Sequence, residues 1–181
     1  LLLLDSCVKH THLTSGYNDR RNEVEQGLAI IKTHFPEVKT FRDCTEIMVL
    51  GLKEELGEIL YKRCRFVVKE IKRVQDAVKA LSNDDFVQLR KLMTETHHGL
   101  SKEYEVSCEE LDFLVDAVGN ETTVLGARMM GGGFGGCSIN LVEKGSEKEL
   151  IEKISEQYRS QFGIELKAYK VKTSKGTTEY K

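Results

Sequence analysis

Only one proline, Pro36, occurs in the 181 residues, and no low-complexity stretch or internal repeat is present. Without a Pro-rich or Gly/Ser-rich linker, the chain reads as one domain, or one domain with a small appendage. An excess of charge of either sign is also lacking, since 27 Lys+Arg stand against 29 Asp+Glu. That excludes the basic footprint of a nucleic-acid or anionic-membrane binder. The apolar opening, four leucines ending at Leu4, is too short for a membrane span, and no basic segment precedes it as in a secretory signal. The five cysteines (Cys7, Cys44, Cys64, Cys108 and Cys137) are scattered, odd in number and never spaced CxxC. This argues for a reduced, cytoplasmic protein and against a zinc site. His10 and His12 would share one face of a strand, but no third ligand accompanies them, so no metal site is expected. An initiating methionine is missing too. Four leucines followed by Asp5 read as a buried strand, and a chain that opens inside a strand reads as a piece of something longer.

The rest of the chain is mostly helical in pattern. After a loosely alternating stretch from Val8 that becomes a loop by Tyr17, residues 18–34 place Val24, Leu28 and Ile31 on one helical face, stopped by Pro36. Residues 45–60 read as short helices broken near Gly51 and Gly57. Cys64, Val67, Val68, Ile71, Val74, Val78 and Leu81 step by three or four along a long helix, with Lys69, Lys72, Arg73 and Lys79 opposite. Asp85 can cap the next helix, which turns Phe86, Leu89, Leu92, Met93 and Thr96 inward. Ser107 with Glu110 and Ser146 with Glu149 carry the capping-box spacing. Strands are expected at 124–130, at 137–142 with Cys137, Ile139 and Leu141 facing one way, and at 165–172. The fold class is therefore α+β, a small, mostly antiparallel sheet packed with helices.

The run GARMMGGGFGGC at 126–137 stands out, because five of its six residues from Gly131 to Gly136 are glycine. Gly131, Gly133 and Gly136 satisfy GxGxxG. A dinucleotide fold, however, needs a helix after the run, and here a strand pattern follows. A P-loop needs Gly-Lys-Ser/Thr at its end, and the other elements of a protein-kinase glycine loop are missing. A hairpin between two strands remains. A hairpin needs one or two glycines, so five suggest that something presses on the backbone from outside; a tight turn alone is the plain alternative.

This run resembles the third signature motif of the GHMP small-molecule kinases, which phosphorylate galactose, homoserine, mevalonate and phosphomevalonate, and within them it is most similar to galactokinases. The resemblance extends in order through DSCVKH at 5–10, SGYNDRR at 15–21, EIKRV at 70–74, THHGL at 96–100, YEVSC at 104–108, and Leu111-Asp112. It covers essentially the whole chain but only the C-terminal half of a galactokinase. The family's sugar-recognition segment, phosphate loop and catalytic Asp have no counterpart here. Met130 stands where the family usually has Thr.

The resemblance implies a GHMP-kinase C-terminal domain of ferredoxin-like type over residues 13–181, with residues 1–12 a strand and junction continuing from an N-terminal domain. It implies a parent enzyme that transfers the γ-phosphoryl of ATP, with Mg²⁺, to the C1 hydroxyl of galactose, both cofactors being held mainly by that N-terminal half. Kin acting on N-acetylgalactosamine, and non-catalytic galactose sensors, share the pattern. Tyr17 matches the tyrosine that hydrogen-bonds a sugar hydroxyl. Gly131, Gly132, Gly133, Gly135 and Gly136 would wall the active site, with no catalytic residue in this chain. Arg128, just before the loop, could meet a carboxylate of the other domain, a phosphate, or a partner in an ordinary ion pair. Arg20 and Arg21 also fit the family pattern, or a solvated helix start. His97 and His98, near a helix C-terminus, are expected to be structural, favoured there by the helix dipole.

Overall fold

A computed structural model describes residues 1–9, 13–177 and 179, so His10 and His12 lie outside the described residues. Four antiparallel strands form one sheet in the order β2-β3-β1-β4: β1 (Leu2–Lys9), β2 (Val124–Met129), β3 (Gly135–Val142) and β4 (Lys167–Lys170). With α6 (Glu147–Phe162) between β3 and β4, this is the split βαβ arrangement of ferredoxin-like folds, its first crossover expanded into five helices. Leu2, Leu3 and Leu4 lie in the interior strand β1, paired on both sides.

Alternation along β1 sends Leu2, Leu4 and Ser6 to one face, where α5 (Glu109–Gly119) and α6 cover them. Leu114, Val118, Ile154 and Tyr158 complete that core, and the Tyr158 hydroxyl donates to the Ser6 carbonyl at 2.9 Å. On β3, the polar Ser138 and Asn140 are the fully buried pair, whereas Cys137, Ile139 and Leu141 are only partly covered. Burial is tolerated because Asn140 Nδ2 donates to the Leu2 carbonyl (3.1 Å) and to Ser138 Oγ (3.0 Å).

A second core joins α1 (Leu13–His34), α2 (Glu46–Gly51) and α3 (Lys53–Ser82) around Ile31, Val38, Val49, Leu56 and Cys64. A Cβ at Gly27 would lie 2.2 Å from Cys64 Sγ, so only glycine lets α1 rest this closely on α3. Gly57 (φ 66°, ψ 176°) interrupts α3 where the sequence predicts a break. Asp85 caps α4 (Phe86–His98) by accepting from Gln88 N at 3.0 Å, and α4 lies along the edge strand β2. No helix among the described residues is long and apolar enough to cross a membrane.

Several local expectations need correction. The helix expected from residue 18 begins at Leu13, because the polar run before Asn18 offers no apolar period to reveal it. Neither serine capping box forms. Ser107 Oγ donates instead to Asp112 Oδ1, leaving Cys108 at the N-cap, and Ser146 Oγ donates to the Glu143 carbonyl. A capping box does form at Thr40 and Asp43, leading a 3₁₀ turn. The apolar stripe of α3 is buried only in part. Cys64, Phe66 and Val68 are inside, whereas Val74, Val78 and Leu81 are more than half exposed.

Candidate functional site

The glycine run is the hairpin between β2 and β3. Gly131, Gly133, Gly135 and Gly136 all have positive φ, and so does Phe134 at 58°. Met130 N donates to the Cys137 carbonyl at 3.0 Å, closing the hairpin. The loop is held from outside at Val106, whose carbonyl accepts from Phe134 N at 2.7 Å. A Cβ at Gly133 would sit 2.0 Å from that same oxygen, so the backbone approach is possible only for glycine.

The start of α1 lies against the other side of this loop. A Cβ at Gly16 would come 2.6 Å from the Phe134 ring, and one at Gly132 would touch Tyr17 Cδ2 at 3.7 Å. Tyr17, 55% exposed, is therefore brought beside the loop from more than 110 residues away in sequence. Burial raises the pKa of the neighbouring Tyr104 phenol, an effect the Tyr17 phenol reinforces. On its far side the loop opens onto a cleft of about 480 Å³ lined by Asp5, Val8, Lys167 and Gly131, among others. Cys7, also in its wall, has φ 56° at an irregularity in the β1–β3 pairing, where Asp5 Oδ1 accepts from Cys7 N at 2.9 Å.

Arg128 donates to the neighbouring Met129 carbonyl at 2.9 Å, and no ion pair engages it among the described residues. It faces a larger apolar groove of about 1010 Å³ that runs from Gly131 along α3 to Leu81 and includes Val74, Val78 and Ile139. Arg73 in this groove pairs with Glu70 (2.9 Å), yet its Nη2 is buried without a hydrogen-bond partner. Arg20 pairs with Glu23 and is mostly covered, whereas Arg21 pairs with Glu25 in solvent. No three His, Cys, Asp or Glu side chains converge as metal ligands among the described residues.

Beneath the hairpin, a π-helical turn (Gly99–Glu103) and the stretch to Cys108 are tied to α5 by Asp112, which accepts from Ser101 Oγ (2.6 Å) and Ser107 Oγ (2.5 Å). His97 Nδ1 accepts from Met129 N at 3.3 Å, and its Nε2 lies 3.3 Å from Asp112 Oδ1. Burial lowers the His97 pKa against the pull of Asp112 and Asp116. His97 is thus structural as expected, but as a neutral hydrogen-bond bridge instead of a cation on the helix dipole. Burial pushes the Asp112 carboxyl up, and the two serine hydroxyls, with His97 and Lys102, together hold it low.

Gly133→Ala is expected to cost at least about 2 kcal/mol, through backbone strain and the clash with Val106. Gly131→Ala, with positive φ but open space around it, should cost about 1 kcal/mol. Urea unfolding of both variants checks the order, and equal losses would refute the Val106 contact. For His97 the folded pKa lies below the unfolded value of about 6.5, so the unfolded state binds more protons in between. Its contribution to stability is complete above that unfolded value and is lost as pH falls through the folded one. Urea midpoints measured from pH 8 downward should show this decline in the wild type and a shallower one in His97→Gln; identical slopes would rule it out.

The family description "GHMP kinases C terminal" matches residues 77–160. The galactokinase of Thermotoga maritima is 43% identical over 96% of this chain, and that of Thermosipho africanus is 37% identical over all of it. The matches cover 47% and 49% of those proteins, so the chain spans about half the length of the curated relatives it matches. The crystal structure of Lactococcus lactis galactokinase complexed with galactose superposes with a TM-score of 0.87 at 28% identity, over 93% of this chain and 43% of that one. The crystal structure of L. major mevalonate kinase in complex with R-mevalonate shares the fold at a TM-score of 0.50 and 19% identity, over 86% of this chain and 37% of that one. By sequence and by fold, the chain carries a GHMP-kinase C-terminal domain match over residues 77–160 and is similar to about half of the galactokinases.

Proposed function

We propose that this chain serves as the C-terminal half of a galactokinase, an enzyme in which the C1 hydroxyl of galactose attacks the γ-phosphorus of ATP and ADP leaves. The observation that carries this reading is the 43% identity over 96% of the chain, joined to the placement of Tyr17 beside the glycine loop. Phosphoryl transfer depends on positioning and charge stabilisation. In this reading the Tyr17 hydroxyl holds a sugar hydroxyl and its ring lies along the sugar. Gly131, Gly132, Gly133, Gly135 and Gly136 form a wall without side chains that lets substrate approach the backbone. In this reading the phosphate loop for ATP, the donors for Mg²⁺ and the catalytic carboxylate belong to the N-terminal half. Residues up to 12 serve as the junction to it. Five free thiols suit a reducing cytoplasm, where we place the protein.

The occupant of the apolar groove along α3 is, in the same reading, that N-terminal half. Val74, Val78 and Leu81 expose one continuous apolar strip, and beside the Arg73–Glu70 pair Arg128 sets a cation without an ion pair among the described residues, which a carboxylate-bearing apolar surface would complement.

A chimera tests the function. The N-terminal half of the T. maritima galactokinase joined to residues 1–181 should form galactose 1-phosphate, whereas the 181-residue chain alone should form none. In the chimera, Tyr17→Phe should raise KM for galactose about tenfold, the cost of one hydrogen bond to the sugar. A folded but inactive chimera would sink the galactokinase reading, and an unchanged KM would sink the role given to Tyr17. Val78→Asp tests the groove: it should lower the unfolding temperature of the chimera and leave that of the 181-residue chain nearly unchanged. Equal effects in the two proteins would show that the groove stays open to water.

A further inference from the structure

Arg63, on α3, is 97% buried by its side-chain exposure of 3%, and it joins three separate segments. Its Nε donates to Glu23 Oε2 on α1 at 2.8 Å, Nη1 to the Glu103 carbonyl, and Nη2 to Glu105 Oε2 at 2.6 Å. Arg20 completes a cluster of two cations and two carboxylates, 2.5 Å from Glu23 and 4.0 Å from Glu105. The Arg63 hydrogen bond, with Arg63 and Arg20 charge behind it, holds the Glu105 carboxyl low against burial. Burial pushes Glu23 up, and bonds from Arg63 and Arg20 more than reverse it.

Both arms of this cluster end at the glycine loop. Glu105 has φ 55°, a left-handed turn that a non-glycine residue adopts only when held there. The next residue is Val106, whose carbonyl receives Phe134 N and excludes a Cβ at Gly133. The other arm runs through Glu23 along α1 to Gly16 and Tyr17, which meet Phe134 and Gly132. A buried ion cluster adds little net stability over an apolar core of the same shape, but its directional bonds can specify an arrangement. A planar fork reaching three acceptors on two segments from a third suits such a role, and a lysine ammonium at the same place does not.

We infer that Arg63 is a positioning residue that sets the separation between Tyr17 and the glycine loop. Its importance for sugar binding rests on the galactokinase reading; its mechanical role does not.

Amide hydrogen exchange on the 181-residue chain tests the mechanical role. In Arg63→Lys, Phe134 N–H should exchange at least about tenfold faster, the loss of one charge-assisted hydrogen bond, while the strand amides of β1 and β3 hold their wild-type rates. Unchanged Phe134 exchange in a folded variant would overturn the inference. So would acceleration of the strand amides by the same factor, which marks a general loss of stability. Should Arg63→Lys fail to fold, Glu105→Gln removes one arm at a half-exposed side chain and should still loosen Phe134; if it does not, the inference falls. In the active chimera, Arg63→Lys should raise KM for galactose more than it lowers kcat. Faster Phe134 exchange with an unaltered KM would support the positioning role and sink the sugar role of Tyr17, which keeps the two readings separable.

Discussion

The carbonyl of Val106 is the point on which the loop face depends. It accepts from Phe134 N at 2.7 Å while occupying the space where a side chain at 133 would begin. One contact therefore dictates a residue type, a backbone conformation and a position in space. With Gly133 pinned, Phe134 turns its ring onto Gly16, and the neighbouring Gly132 meets Tyr17. The abundance of glycine thus has two causes. Gly133 answers a close approach from Val106, and Gly131, Gly135 and Gly136 answer the positive φ of a hairpin that is longer than a two-residue turn.

Val106 can act as an anchor because the irregular backbone around it is itself tied at several points. Its amide donates to the Leu100 carbonyl, Arg63 holds the residues just before it, and Asp112 gathers Ser101, Ser107 and His97. Polar groups on a non-helical stretch are costly to bury unless paired, and pairing turns the segment between α4 and α5 into a rigid shelf. Tyr104 stacks on Phe66 at 5.0 Å between centroids and adds an apolar contact to the same shelf.

Much of this could be read from the sequence, and the gaps have physical causes. Strong periodicity exposed the long helices and the strand after the glycines, Pro36 and Asp85 marked helix boundaries, and Gly57 marked the kink in α3. The glycine run identified its own hairpin because so many missing side chains need an explanation. Tyr17 was found by motif resemblance alone, since its helix turn is polar and without apolar rhythm. Arg63 was invisible, because one arginine inside an apolar helical repeat looks like any solvated charge until its three partners are known. Ser138 and Asn140 went unremarked: on the face opposite Cys137, Ile139 and Leu141 they are fully buried, bonded to each other and to the Leu2 carbonyl. The α3 stripe was legible as apolar, but periodicity does not say what covers a face, and half of this one is bare.

Gly27 and Cys64 add a different kind of consequence. Their contact presses α1 onto α3 at one spot, with no side chain between them to act as a cushion. Tyr17 lies ten residues before Gly27, which at the helical rise is a lever arm of about 15 Å. A tilt of roughly 5° about that fulcrum would carry the tyrosine a little over 1 Å, a misplacement of the size known to matter for reacting groups. Leverage of this kind makes the small, buried crossing of two helices, far from the loop, a determinant of how accurately the loop and its tyrosine face each other.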